Sequence, residues 1–150
     1  MSSGTLYEVG IDEWIYSTLA ADTTIKSICG TPTPRIYSDV APQTSSWPAI
    51  VFRELSGKDT LGAGAGRIMG TASYRVIAID QTESLSANVK TLAQRVDALL
   101  CTATTPTWQP KVVGGVTILG CYRTAEIGGI EEAWNTVFRR LGGLYTILTN

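Results

Sequence analysis

Tyr74-Arg-Val-Ile-Ala-Ile-Asp80, followed after four residues by Leu85-Ser-Ala-Asn-Val-Lys-Thr-Leu-Ala-Gln-Arg-Val-Asp-Ala-Leu-Leu100, decides how this chain is read. The first run is short, β-branched and apolar, which marks a strand. In the second, Leu85, Val89, Leu92, Val96, Leu99 and Leu100 recur at three- and four-residue steps, while Lys90, Gln94, Arg95 and Asp97 lie off that stripe. One amphipathic helix over residues 83–101 follows from this spacing. Thr82 or Ser84 is its expected cap, with Glu83 near the positive end of its dipole. A strand feeding a helix that must bury one face calls for a sheet beneath it.

Working towards the N-terminus, Tyr7, Ile11, Trp14, Ile15, Thr18 and Leu19 form one helical stripe behind a capping box at Thr5-Leu-Tyr-Glu8. Gly10 weakens that helix by about 1 kcal/mol relative to alanine and moves its expected start towards Ile11. Asp22 then reads as the cap of a short second helix that turns Ile25 and Ile28 inward and stops at Gly30. Thr31-Pro-Thr-Pro34 ends helical structure, and Pro42 and Pro48 bracket an extended region. A short strand is expected at Arg35–Ser38. A longer one is expected over Ala49–Leu55, apolar on both faces.

Residues 56–70 are Gly-rich and read as a long, flexible β-hairpin arm joining two strands. Towards the C-terminus, a Thr/Pro loop over 102–110 holds Trp108. Val112–Ile127 and Trp134–Leu148 read as strands joined through Gly128-Gly129, with a bulge or bend expected at Gly142-Gly143. The whole is expected to be one domain over residues 1–150. Its fold class is α+β: a two-layer sandwich in which a four-stranded, mainly antiparallel sheet carries helices on one face and a long β-hairpin arm.

The chain of 150 residues has 12 basic and 13 acidic side chains and a net charge of −1, with no block of like charge. It thus lacks the clustered basic face of a nucleic-acid binder. Only 17% of residues are charged, against about 25% in average proteins, and so lean a surface suggests oligomerisation. Neither a signal peptide nor an apolar run of about 20 residues is present, so a soluble protein with no membrane partner is expected.

Chemistry is poorly provided for. There is no histidine, which removes the commonest general base and every Ser-His-Asp or Cys-His arrangement. Cys29, Cys101 and Cys121 are widely spaced and read as buried thiols in a reducing cytoplasm. Gly62-Ala-Gly-Ala-Gly66 is followed by Arg67-Ile68 and so lacks the Gly-Lys-Ser/Thr of a phosphate loop. Asp12-Glu13 and Glu131-Glu132 read as solvated surface carboxylates. No enzyme activity, cofactor or metal is expected.

What remains is surface suited to other protein. Lys58, Asp59 and Arg67 stand on the 56–70 arm. Arg53, Arg75, Arg123, Arg139 and Arg140 are spread through strand segments, where guanidinium groups can pair with carboxylates of the same chain or of a neighbour. Trp47 and Trp108 sit beside proline in loops, where a tryptophan either plugs the local core or anchors an interface.

The order of these segments, with Arg35–Gln43, Pro48–Leu55, Tyr74–Asp80, the Leu85–Leu100 helix and Thr136–Leu148, resembles the tail-completion (tail-terminator) family of long-tailed bacteriophages over roughly residues 11–148. That resemblance implies a structural virion protein, made in the host cytoplasm and located at the head-proximal end of the tail. It implies a ring, commonly hexameric, that caps the tail tube, ends its polymerisation and joins it to the head connector. The implied partners are other copies of this chain, the tail tube protein and the connector. The resemblance implies no sequence-specific contact with nucleic acid, DNA only passing through such a ring. Lys58, Asp59, Arg67, Trp47, Trp108 and Arg139 are the expected assembly residues. The alternatives are a head-completion or connector adaptor ring and, from another class, a cytosolic small-molecule-binding domain.

Overall fold

A computed structural model describes residues 3–42, 45–61, 67–81, 87–101, 109–113, 115–133 and 136–150; side chains at 3–9, 59–61, 67–68 and 133 are left out. The elements run α1 (Ser3–Ala20), α2 (Thr23–Cys29), β1 (Ile36–Ser38), β2 (Ala49–Leu61), β3 (Arg67–Asp80), α3 (Ala87–Leu100), β4 (Lys111–Val113), β5 (Val116–Ala133) and β6 (Thr136–Thr149). The strands form one six-stranded sheet in the order β1-β2-β3-β6-β5-β4.

This corrects the expected four-stranded, mainly antiparallel sheet, although the α+β class stands. Two short edge strands make up the difference. β1 lies parallel to β2, pairing Ile36 with Ile50 and Ser38 with Phe52, and so the sheet is mixed. At the far edge Gly115, with φ +78°, turns the chain and divides the single expected C-terminal strand into β4 and β5. The short strand expected at Arg35–Ser38 is present as β1, outside the four counted, while the three residues of β4 are too few for alternation to set them apart from β5.

Strand alternation puts Ile50 and Phe52 of β2, Ala72, Tyr74, Val76 and Ala78 of β3, and Tyr145 and Ile147 of β6 in one buried cluster with Ile11, Trp14, Ile15, Leu19, Ile25, Val89, Leu92, Val96 and Leu100 of the helices. Each fully buried aliphatic side chain there contributes about 1.5–3 kcal/mol, and α3 alone supplies four. On the opposite face, helix-free among the described residues, a smaller cluster holds Ala41, Val51 and Ile77, flanked by Tyr37, Trp47, Ile79 and Ile127.

Polar contacts fix the helices on their layer. Asp22 caps α2, accepting from the Ile25 amide at 3.1 Å, as the sequence leads one to expect. Its other oxygen accepts from Nε and Nη2 of Arg95 on α3 at 2.9 and 2.7 Å. Asp12, read from sequence as solvated, instead accepts from the buried Tyr74 hydroxyl at 2.7 Å. α1 begins at Ser3, ahead of the expected cap at Thr5, and runs through Gly10. A Cβ at Gly10 would stand 2.7 Å from Val116 Cβ and 2.8 Å from the Val113 carbonyl oxygen. That glycine therefore lets the helix lie close against the β4–β5 corner. The expected caps Thr82 and Ser84 lie outside the described residues.

The expected β-hairpin arm over 56–70 is a ladder as far as Leu61 and again from Arg67, with Lys58 opposite Thr71 and Asp59 opposite Gly70. Two further expectations are overturned. β5 runs through Gly128-Gly129 to Ala133, lengthening the β5–β6 hairpin. Gly142-Gly143 does not interrupt β6. A Cβ on Gly142 would overlap the Val76 carbonyl oxygen and come within 2.7 Å of Ile77 Cα, so glycine permits close approach there. In the β5–β6 ladder the register shifts fall in β5, at Ile118/Gly120 and Arg123/Ala125.

Candidate assembly surfaces

The helix-free face has a defined layout because the ladder register fixes its rows. Val51 stands opposite Ile77 and Arg53 opposite Arg75, while Arg75 pairs across to Leu144 and Ile79 to Arg140 on β6. A groove of about 270 Å³ opens over this face, floored by Val51, Ile77 and Ile79 and bordered by Trp47, Phe138, Arg75, Arg140 and Glu131. Trp47 sits edge-on to Phe138, with ring centroids 4.9 Å apart at 69°. Glu131 pairs with Arg140 at 3.4 Å. Neither the Arg53 nor the Arg75 side chain has a hydrogen bond or ion pair among the described residues.

Among the described residues two strand edges are open over most of their length. β1 covers only Ile50–Phe52 of β2, and β4 covers only Val116–Ile118 of β5. Two hairpin ends also outrun the sheet, in opposite directions. The β2–β3 ladder continues to Leu61/Arg67, past the last β3–β6 pair at Gly70/Thr149. The β5–β6 ladder continues to Ala133/Thr136, past Asp80/Arg139 at the other end. Open edges and projecting hairpins are where chains add to one another.

The expected assembly residues do not converge. Lys58 is exposed on the β2–β3 arm. Asp59 and Arg67 are placed there by their backbone pairing alone. Trp47 is half-buried against Phe138 at the opposite end, and so serves as local core and groove wall together. Arg139 is also half-buried at that end, and its Nε, like that of Arg140, is buried without a hydrogen-bond partner among the described residues. Trp108 lies outside the described residues. Sequence reading named Arg53 and Arg75 singly but missed their opposition, because that depends on register. It also missed Ile130, which is 53% exposed on the β5–β6 arm.

Where α3 meets the sheet, Asp97 accepts from the Tyr145 hydroxyl at 3.1 Å and from Cys101 Sγ at 3.3 Å, and pairs with Arg123 at 3.4 Å. Burial, with the Asp97 charge nearby, pushes the Tyr145 hydroxyl well above the usual phenol range. All three thiols are buried. Burial raises Cys29 and Cys101 to about 11 and Cys121 further still. Such thiols carry almost no thiolate near neutral pH, which opposes nucleophilic or redox chemistry. Among the described residues no group of three or more Cys, Asp or Glu is placed to hold a metal ion.

No family model and no curated protein matches the chain. Eleven chains of solved structures do match in fold. One belongs to the "Virion of native gene transfer agent (GTA) particle": it superposes with a TM-score of 0.66 at 17% identity, covering 91% of this chain and 92% of its own. The protein therefore shares, over nearly its whole length, the fold of a component of a virion particle.

Proposed function

We propose that this protein is a structural virion component: a ring that caps the tail tube, ends tube growth and joins the tail to the head connector. The observation that carries the virion reading is the near end-to-end fold match to a chain of a gene transfer agent virion, with little of either chain left over. The ring is supported by the two open edges and two oppositely directed hairpins, since contacts between unlike patches repeat head-to-tail and close when the rotation allows. Buried, protonated thiols and a charge-poor surface fit a protein that works by contact. The order of segments, which resembles the tail-completion family, supports a position at the tail end.

The test is mass measurement over a wide concentration range with electron microscopy of the same sample, followed by incubation with isolated tail tubes and isolated connectors. A ring of about six copies that decorates tube ends supports the proposal. A ring that decorates connectors and ignores tube ends overturns the tail-capping part and makes the protein a connector adaptor. Replacing Thr60–Met69 with Asn-Gly keeps the Asp59–Gly70 pair and closes a tight hairpin. Tube capping by this variant at the native level would remove the β2–β3 arm from the mechanism.

A further inference from the structure

Arg53 and Arg75 face one another across β2 and β3. Directly opposed residues carry their Cβ atoms about 4.5–5.5 Å apart, and like charges so placed repel. Neither has an acidic partner among the described residues. Two residues along each strand, the Val51–Ile77 pair floors the apolar groove. The acceptor pattern is thus a cationic pair about 6.6 Å from an apolar floor, at about 3.3 Å of strand rise per residue.

The same chain carries the complementary pattern at the far edge of its sheet. On the projecting β5–β6 arm, Ile130 and Glu132 lie two residues apart on one face, opposite Arg139 and Val137 of β6. Both are exposed, Ile130 by 53%. That is a carboxylate about 6.6 Å from an apolar side chain. We propose that the β5–β6 arm of one copy docks on the helix-free face of the next, with Ile130 entering the groove over Val51 and Ile77 and the Glu132 carboxylate bridging Arg53 and Arg75. The inference rests on the ring reading and names the contact that builds it. A carboxylate between two guanidinium groups removes their repulsion and makes charge-assisted hydrogen bonds. The groove's apolar floor, with Glu131 on its border, favours a protein side chain over a nucleic-acid phosphate. Donor and acceptor lie on different strands and at different heights, so each copy presents both and the contact, made head-to-tail, repeats from copy to copy.

The decisive experiment is a full-length chain carrying Arg53→Cys and Glu132→Cys, oxidised at concentrations spanning the association range. Within one chain these positions are three strands and about seven residues of rise apart, about 27 Å. That is far beyond the roughly 7 Å Cα separation a disulfide tolerates, so any bond joins two copies. The expected result is a reducible ladder of dimers, trimers and larger species up to the ring. The control pair Lys90→Cys with Glu132→Cys gives none. In parallel, Glu132→Arg weakens self-association at least about ten-fold through like-charge contact, and adding Arg53→Glu and Arg75→Glu in the same chain restores it. Circular dichroism confirms that each variant is folded.

A ring by mass and microscopy that yields no ladder overturns this contact and leaves the ring reading intact. A strict monomer without cross-links, alone and at tube ends, overturns both. If Arg53→Glu with Arg75→Glu abolishes retention on DNA while self-association is unchanged, the arginine pair serves nucleic acid and the proposal fails.

Discussion

Arg53 and Arg75 stand directly opposite each other in the β2–β3 ladder, two cations facing across the helix-free side of the sheet with no partner among the described residues. Such a pair costs the isolated chain stability, by about 0.2–1 kcal/mol relative to a neutral pair. Arg53→Thr is therefore expected to raise the melting temperature of the monomer, by about 1–3 °C for a domain of this size, while weakening assembly. Calorimetry at dilution and sedimentation at high concentration check the two halves. A stability loss together with unchanged assembly would mean that Arg53 serves the fold alone.

Asp22 ties α2 to α3 and caps α2 with its second oxygen. The Arg95 side-chain hydrogen bond, aided by the capped Ile25 amide, holds its carboxyl below the usual value despite partial desolvation. A folded-state pKa below the unfolded one stabilises the protein above the unfolded value of about 3.9, and that share is lost as pH falls through the folded value. Asp22→Asn keeps a cap but loses the ion pair. With Arg95 41% exposed, the change should cost within about 1 kcal/mol near neutral pH. The gap to the native protein should close below about pH 4. Denaturant melts at pH 7 and pH 3 measure it. An equal gap at both would remove the charge from the account.

Gly142 lies where β6 crosses β3. A Cβ there meets the Val76 carbonyl oxygen and the Ile77 backbone, which cannot swing aside as a side chain would. Gly142→Ala should destabilise at or beyond the top of the ~1–3 kcal/mol range of overpacking. Gly128→Ala places its Cβ 3.4 Å from Leu141 Cδ1, ordinary contact, and should cost under about 1 kcal/mol. Chemical denaturation of the pair gives the comparison. Equal losses would mean that the β3–β6 approach is not what requires glycine.

Local signals carried much of this fold. Asp22 and Gly30 bound α2 as read, and the stripe Val89, Leu92, Val96 and Leu100 is buried. The readings that failed depend on pairing partners. β4 is a separate strand only because β5 folds back beside it. The strand at Arg35–Ser38 and the hairpin arm over 56–70 were legible, but the length of the arm's ladder, to Leu61 and Arg67, is set by pairing. Gly142 resembles a break until Val76 is placed against it. The surface followed the same rule: Arg53, Arg75 and Arg139 were legible as strand arginines, but register alone shows which two oppose each other. Glu132, two positions from Ile130, gains meaning only once the β5–β6 hairpin is seen to outrun the sheet.

Asp97 gathers three donors at the junction of α3, β5 and β6: the Tyr145 hydroxyl, Cys101 Sγ and an Arg123 guanidinium nitrogen. Tyr145 is only 1% exposed, so its hydroxyl has Asp97 in place of solvent. Removing one side of such a contact differs from removing the other. Tyr145→Phe deletes the donor and leaves Asp97 with Arg123 and the thiol, at a cost of about 1 kcal/mol. Asp97→Ala strands the hydroxyl, and a buried unsatisfied group costs about 1–3 kcal/mol in addition to the lost contacts. The Asp97→Ala loss should therefore exceed the Tyr145→Phe loss, and the double variant should lose less than their sum, with a coupling of about 0.5–3 kcal/mol. Urea melts of the four proteins settle the cycle. Strict additivity would mean that the hydroxyl and the carboxylate do not act on each other.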